Sequence, residues 1–219
     1  QISNRNMKTR KLRTALYNVL PGEKAHALMA PRPKYIEGIE GVHPCPPVNS
    51  AILALIVPFE NELALPLIKR VNRGKYHGGQ IAFPGGKMEK EDADALQTAL
   101  RECHEEIGVP EEKVSILGVL SDIYIPLSNF NITPIVGTTL QLPDFILSQD
   151  EVEKVILVKL RDLFDDRNKT THSFVRHDHK IIAPGYKIGE NFIWGATAMI
   201  IAELEQLMKT NTFNHLGKL

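Results

Sequence analysis

The sequence predicts an α/β fold, and three observations carry that reading. From Val48 onward, short apolar stretches bounded by turn residues alternate with amphipathic ones. Asp92 to Ile107 repeats its apolar residues at helical spacing, and Ala196–Lys209 reads as a C-terminal helix. At 219 residues, 43% hydrophobic and 24% charged, the chain has the size and balance of a globular protein with one sizeable core.

In chain order, Lys8 to Leu20 places Leu12, Leu16, Val19 and Leu20 on one face and basic residues on the other. This predicts a short amphipathic helix stopped at Pro21-Gly22, packed on its own domain or on a twin subunit; a homodimer is therefore one expectation. The run containing Pro31, Pro33, Pro44, Pro46 and Pro47 is connecting loop. Residues 1–45 are thus set apart as an N-terminal extension from a domain over 46–219. Asn49–Phe59 and Glu62–Lys69 read as strands joined in a hairpin at Glu60-Asn61, and Gln80–Phe83 as a short extended segment. The helix Asp92–Ile107 has acidic residues at its start (Glu91, Asp92, Asp94) and an apolar stripe of Leu96, Leu100, Cys103 and Ile107. Gly108 is its natural stop. Strands follow at Val114–Ser121, Ile132–Thr139 and Val152–Val158, with a short helix near Leu160–Phe164. A hairpin around Ser173–Val175 and Lys180–Ile182 and a strand edge at Phe192–Trp194 complete the pattern.

Several function classes are disfavoured. Lys plus Arg equal Asp plus Glu at 26 each, so no global charge points to nucleic acid. The apolar stretch Ser50–Phe59 is far short of the ~18 residues that a membrane span needs. Cys45 and Cys103 make neither a disulfide framework nor a metal spacing, and no secretory signal is seen, so a cytoplasmic location is expected.

The segment RECHEEIG breaks two local rules. Glu102 and Glu106 lie four apart on one helix, where like charges cost about 0.2–0.5 kcal/mol per pair. With Glu105 they also crowd the negative end of the helix dipole, at roughly 0.3–1 kcal/mol each. At about 100° per residue, Glu102 and Glu106 point within about 40° of each other, at the flank of the apolar stripe. Bound divalent cations reverse the sign of both penalties, and Mg²⁺ takes a few carboxylate oxygens while keeping sites for water and phosphate.

Pro84-Gly85-Gly86, then Arg101, Glu102, Cys103, His104, Glu105, Glu106, Ile107, Gly108 and Val109, resemble the Nudix box. The second half matches fully. The first half is one residue longer between Gly86 and Arg101, and the early Glu is replaced by the Asp92/Asp94 region. The resemblance implies an α/β/α sandwich with a mixed β-sheet, and a metal-dependent hydrolase of diphosphates. It further implies that Glu102 and Glu106 hold Mg²⁺ or Mn²⁺, and that Glu105 is a further ligand or helps deprotonate the attacking water. Gly85-Gly86 would offer a backbone carbonyl to the metal, and Arg101 would orient one of the glutamates. Glu151 is the candidate assisting carboxylate from a later loop.

Ahead of the box, Arg70, Lys75, Gly79 and Phe83-Pro84-Gly85-Gly86 resemble the signature of coenzyme A diphosphatases, with Ile68, Val71 and Lys75 as departures from its usual residues. Phe192, Trp194, Gly195, Thr197 and Ala198 look like the same subfamily. The basic run Lys69, Arg70, Arg73, Lys75 and His77 could meet the 3′-phosphate of coenzyme A. The resemblance thus implies a small nucleoside diphosphate derivative as partner, most of all coenzyme A or acyl-CoA. The products would be 4′-phosphopantetheine and adenosine 3′,5′-bisphosphate. Hydrolysis of ADP-ribose, a dinucleotide or a similar compound is the second enzymatic reading; a non-catalytic nucleotide-binding regulator is the reading from another class. His172, His177, Asp178 and His179 read as a polar hairpin tip rather than a metal site, and Cys103 as a small buried hydrophobe.

Overall fold

The computed structural model describes residues 2–32, 45–72, 79–176 and 179–213. Helices α1 (Ile2–Leu16) and α2 (Glu23–Met29) precede the hairpin of β1 (Val48–Phe59) and β2 (Glu62–Arg70). β3 (Ile81–Ala82) and β4 (Gly85–Lys87) lead into α3 (Ala95–Ile107). β5 (Ser115–Val119), β6 (Ile123–Ile125) and β7 (Phe130–Thr138) come next. β8 (Val152–Lys159), α4 (Leu160–Leu163), β9 (Lys169–Arg176), β10 (His179–Ile188), β11 (Asn191–Trp194) and α5 (Ala196–Phe213) follow.

Among the described residues, eight strands form one mixed sheet around β1, and β9, β10 and β11 form an antiparallel three-stranded sheet. β1 is the hub. Its C-terminal end pairs antiparallel with β2, its N-terminal end with β4, and its other edge runs parallel to β7 from Val48 to Ile56. The β1–β2 turn forms at Glu60-Asn61, as expected, with both residues at positive φ (44° and 64°), the twist that suits a two-residue hairpin.

The alternation along β1 decides the layers. Ala51, Leu53, Leu55 and Val57 pack with Ala99, Leu100, Cys103 and Ile107 of α3. Ala54 and Ile56 point the other way, into a core shared with Leu12 and Leu16 of α1 and Ile200, Ile201 and Leu204 of α5. The sheet is therefore covered on both faces, the α/β/α sandwich expected, and each fully buried Leu or Ile contributes roughly 1.5–3 kcal/mol. Buried Glu203 of α5 ties this second layer together, accepting bonds from His26 Nε2 (2.9 Å), Gly22 N (3.0 Å) and Ser121 Oγ (2.6 Å). No described helix is long and apolar enough to cross a membrane.

Five elements differ from expectation. The first helix spans Ile2–Leu16 instead of Lys8–Leu20, and Val19 is 97% exposed rather than on its apolar face. Tight closing bonds from Tyr17 N to Thr14 O and Asn18 N to Ala15 O end it early, and Asn18 Nδ2 donates to Thr14 O. α3 begins at Ala95 because Asp94, not Asp92, caps it, accepting from Gln97 N at 2.9 Å. β4, β6 and α2 were not anticipated: each is short, and β4 exists through its pairing with Ser50–Ile52 rather than through side-chain alternation.

Candidate active site

The end of α3 carries the site. Gly108 closes the helix in the left-handed region (φ 72°), its N–H donating to His104 O at 2.8 Å, so the three glutamates fall in the last two turns. Cys103 between them is buried, and that burial pushes its thiol up to about 12, an inert packing residue as expected.

Glu106 is 1% exposed and reaches across to β4 and β2. Its Oε2 accepts from Gly85 N at 2.9 Å and its Oε1 from Arg70 Nη1 at 3.2 Å. Burial pushes this carboxyl up to about 7 against the pull of Arg70 and Gly85, with the charges of Glu102 and Glu151 adding to the rise. Glu102 is raised for the same first reason, burial, with Glu105 and Glu151 adding and Arg101 opposing. Glu151, just before β8, therefore lies close enough for its charge to be felt by both glutamates. Glu105 is exposed, and Arg101 Nη1 donates to its Oε2 at 3.0 Å.

Gly86 explains how Glu102 comes so near the backbone. A Cβ there would lie 2.4–2.6 Å from the Glu102 carboxylate atoms, a space that only glycine leaves open. Arg101 is the brace behind the cluster. Its Nη1 is 3.1 Å from Glu102 Oε1, and its Nη2 donates to Lys87 O of β4 at 3.2 Å.

Asp92 is the residue that sequence reasoning left without a role. It accepts a two-point bond from Arg101 (Nε to Oδ1 and Nη2 to Oδ2, both 3.0 Å), plus Thr98 Oγ1 and Glu89 N at 2.9 Å each. The Arg101 guanidinium holds its carboxyl well below the usual carboxylate range. The available signal was that Asp94 suffices as the cap, which leaves Asp92 to another partner.

Of the substrate-side residues, Arg70 lies at the carboxylate centre. Gly79 sits at φ 74° with its N–H on Arg70 O at 3.0 Å. Lys75 and His77 lie outside the described residues. Among the four histidine-region residues, His172 is in β9 with its ring stacked on Phe192 at 3.9 Å. Arg176 pairs with His179 across the tip, and His177 and Asp178 lie outside the described residues. A groove of about 590 Å³, flanking Glu151 in the chain, is lined by Val71, Ile146, Leu147, Gln149, Val152 and Glu153. Two of its lining residues are bonded to backbone near the glutamates: Val71 N donates to Glu151 O (2.9 Å), and Ile146 N to Ile107 O (3.0 Å).

The donor set suits a hard divalent cation: two carboxyls raised first by burial and further by neighbouring carboxylates, with Glu102 seated in the space that Gly86 leaves open. Among the described residues no three such groups converge ready-made, since Glu105 is turned to Arg101. The fit is therefore that of Glu102 and Glu106 with the Gly85-Gly86 backbone.

The NUDIX domain family matches residues 49–177, more than half of the chain. The chain belongs to the Nudix family. A relative from Enterobacter sp. (strain 638), described as an uncharacterized Nudix hydrolase NudL, is 34% identical over 161 residues, covering 72% of this chain and 82% of its own. Its counterpart from Pectobacterium atrosepticum is 35% identical over 158 residues, covering 71% and 80%. A solved NUDIX hydrolase from Nitrosomonas europaea matches with a TM-score of 0.49 at 20% identity, covering 80% of this chain and 76% of that one. The protein is thus a Nudix hydrolase, and Nudix hydrolases in general use divalent ions such as Mg²⁺ or Mn²⁺.

A pH dependence follows for this Nudix hydrolase without metal. The folded pKa of Glu106 is about 7, above its ordinary 4.5. Its contribution to stability is then full below about pH 4.5 and is lost as pH rises through about 7. The Tm of the metal-free protein is expected to fall between pH 5 and pH 8, and saturating Mg²⁺ should flatten that fall. Melting curves across this range with and without Mg²⁺ measure it; parallel curves would refute it.

Proposed function

We propose that this Nudix hydrolase splits the diphosphate bond of coenzyme A or an acyl-CoA, giving adenosine 3′,5′-bisphosphate and 4′-phosphopantetheine, or its S-acyl form from an acyl-CoA. The observation that carries the hydrolytic reading is the buried Glu106 carboxylate, set with Glu102 and within reach of the charge of Glu151, against the Gly85-Gly86 strand. The substrate is argued from the sequence ahead of the box, Arg70 to Gly86, and from the partly apolar groove beside Glu151, which suits an uncharged pantetheine arm.

Glu102, Glu106 and a Gly85-Gly86 carbonyl would hold the Mg²⁺ or Mn²⁺. When bound, the ion would neutralise the diphosphate and lower the pKa of a water. Arg101, locked by Asp92 and Lys87 O, keeps Glu102 and Glu105 from swinging away. Glu105 or Glu151 takes the proton of the attacking water as its oxygen bonds to phosphorus and the bridging P–O bond breaks. Arg70 lies where a diphosphate oxygen arrives, and Lys75 and His77 are the candidates for the 3′-phosphate.

A substrate panel tests this: coenzyme A, acetyl-CoA, ADP-ribose, NADH and diadenosine polyphosphates with Mg²⁺ or Mn²⁺. Coenzyme A or acetyl-CoA should lead by kcat/KM. Lys75→Gln should then lower kcat/KM for coenzyme A more than for dephospho-coenzyme A. A lead for ADP-ribose would move the assignment to a nucleoside diphosphate sugar; tight nucleotide binding without product would move it to a regulator.

A further inference from the structure

Arg70 ends β2 at a break in register. The pairing of β2 with β8 shifts between Lys69 and Arg70, and such an irregularity re-aims side chains. Lys69 goes outward to Glu153 (2.7 Å), whereas Arg70 turns to Glu106 (3.2 Å). The Arg70 backbone is held from both sides, its N–H on Gln80 O and its carbonyl under Gly79 N, each at 3.0 Å. Its side chain remains one-third exposed, at the rim of the site. Glu106, by contrast, is enclosed, with Gly85 N–H on one oxygen and Arg70 on the other. One buried carboxylate does not favour a guanidinium and a divalent cation together, because the two cations repel at short range in a poorly screened place.

We propose that Arg70 is a built-in counter-ion that stands in for the divalent cation at Glu106, and that it leaves Glu106 when a cation is held there, becoming free for the substrate's diphosphate. This rests on the reading above that Glu106 holds the cation. The consequence is a coupling. A phosphate that draws Arg70 away removes the competitor and favours the cation, and by reciprocity the cation favours the phosphate. Without metal, Arg70 keeps the buried charge paired; leaving it unpaired would be strongly unfavourable.

The test is Mn²⁺ binding without substrate, followed by electron paramagnetic resonance at pH 8, on the wild type, Arg70→Gln, Arg70→Lys, Lys69→Gln and Glu106→Gln. Arg70→Gln should bind Mn²⁺ at least ~5-fold tighter than the wild type, the low end of ordinary coupling. Arg70→Lys should stay nearer the wild type, and Lys69→Gln should match it. In melting experiments, metal-free Arg70→Gln should melt below the wild type, and saturating Mn²⁺ should close that gap. Equal or weaker Mn²⁺ binding by Arg70→Gln, a gap that survives Mn²⁺, or an equal gain in Lys69→Gln overturns the proposal. Should Glu106→Gln bind Mn²⁺ as the wild type does, the cation reading of Glu106 falls, and this inference with it. If binding depends on Glu106 but ignores Arg70, only the inference falls.

Discussion

Glu106→Gln is expected to lower kcat at least ~10²-fold with either Mg²⁺ or Mn²⁺, the scale of losing one electrostatic group aimed at a reacting centre. The substitution keeps the shape and an acceptor for Gly85 N, so the strand contact at 2.9 Å can persist. What it removes is a buried negative charge. Glu105→Gln provides the contrast: that side chain is exposed and already shared with Arg101, so cation binding should stay largely intact and kcat should fall only to the extent that Glu105, rather than Glu151, takes the proton of the water. Near-normal turnover by Glu106→Gln, measured at saturating coenzyme A or ADP-ribose, would remove Glu106 from the cation site.

Gly85→Ala is expected to destabilise the protein by about 3 kcal/mol or more, roughly 6–12 °C in Tm for a chain of this size. A Cβ at Gly85 would stand 2.4 Å from Ala51 O and 2.6 Å from Ile52 Cα, both backbone atoms of β1. Neither can move without disturbing the strand that organises both cores. Gly85 N also anchors Glu106, so the variant should lose activity even where it remains folded. Gly189→Ala is the control: it has φ 58° but nothing within 4 Å of its Cβ, so only backbone strain of ~1–2 kcal/mol applies. Equal melting temperatures for the two variants would show that β4 gives way easily and that the close approach is not needed.

The parts of this site that could be read in advance are those set by near neighbours. Arg101, Glu102, Glu105 and Glu106 fall on one helix whose apolar stripe and closing glycine are both local signals, and α3 ends at Ile107 as expected. The Glu60-Asn61 hairpin and both faces of β1 follow from period-two burial and turn chemistry in the same way. Gly85-Gly86-Lys87 offers no such pattern. It becomes a strand only because Ser50–Ile52 presents free backbone groups to it. Val19 failed for the converse reason: it continues the helical spacing of Leu12 and Leu16, but the helix stops at Leu16 before reaching it.

The α/β alternation, helix α3 and the acidic set on it are legible in the chain alone, because periodicity, caps and motif spacing act over a few residues. Which charges answer that set depends on how the elements pack. Asp92 takes Arg101 from nine residues away, and Arg70 takes Glu106 across 36 residues and a shift in strand register. The reason is that ion pairs between elements depend on where the sheet brings strand ends, and no local propensity records that. Of the three glutamates that look misplaced along one helix, Glu106 is thus held from β2 and β4, whereas Glu102 and Glu105 answer to Arg101, itself fixed by Asp92 before α3 and by Lys87 O of β4.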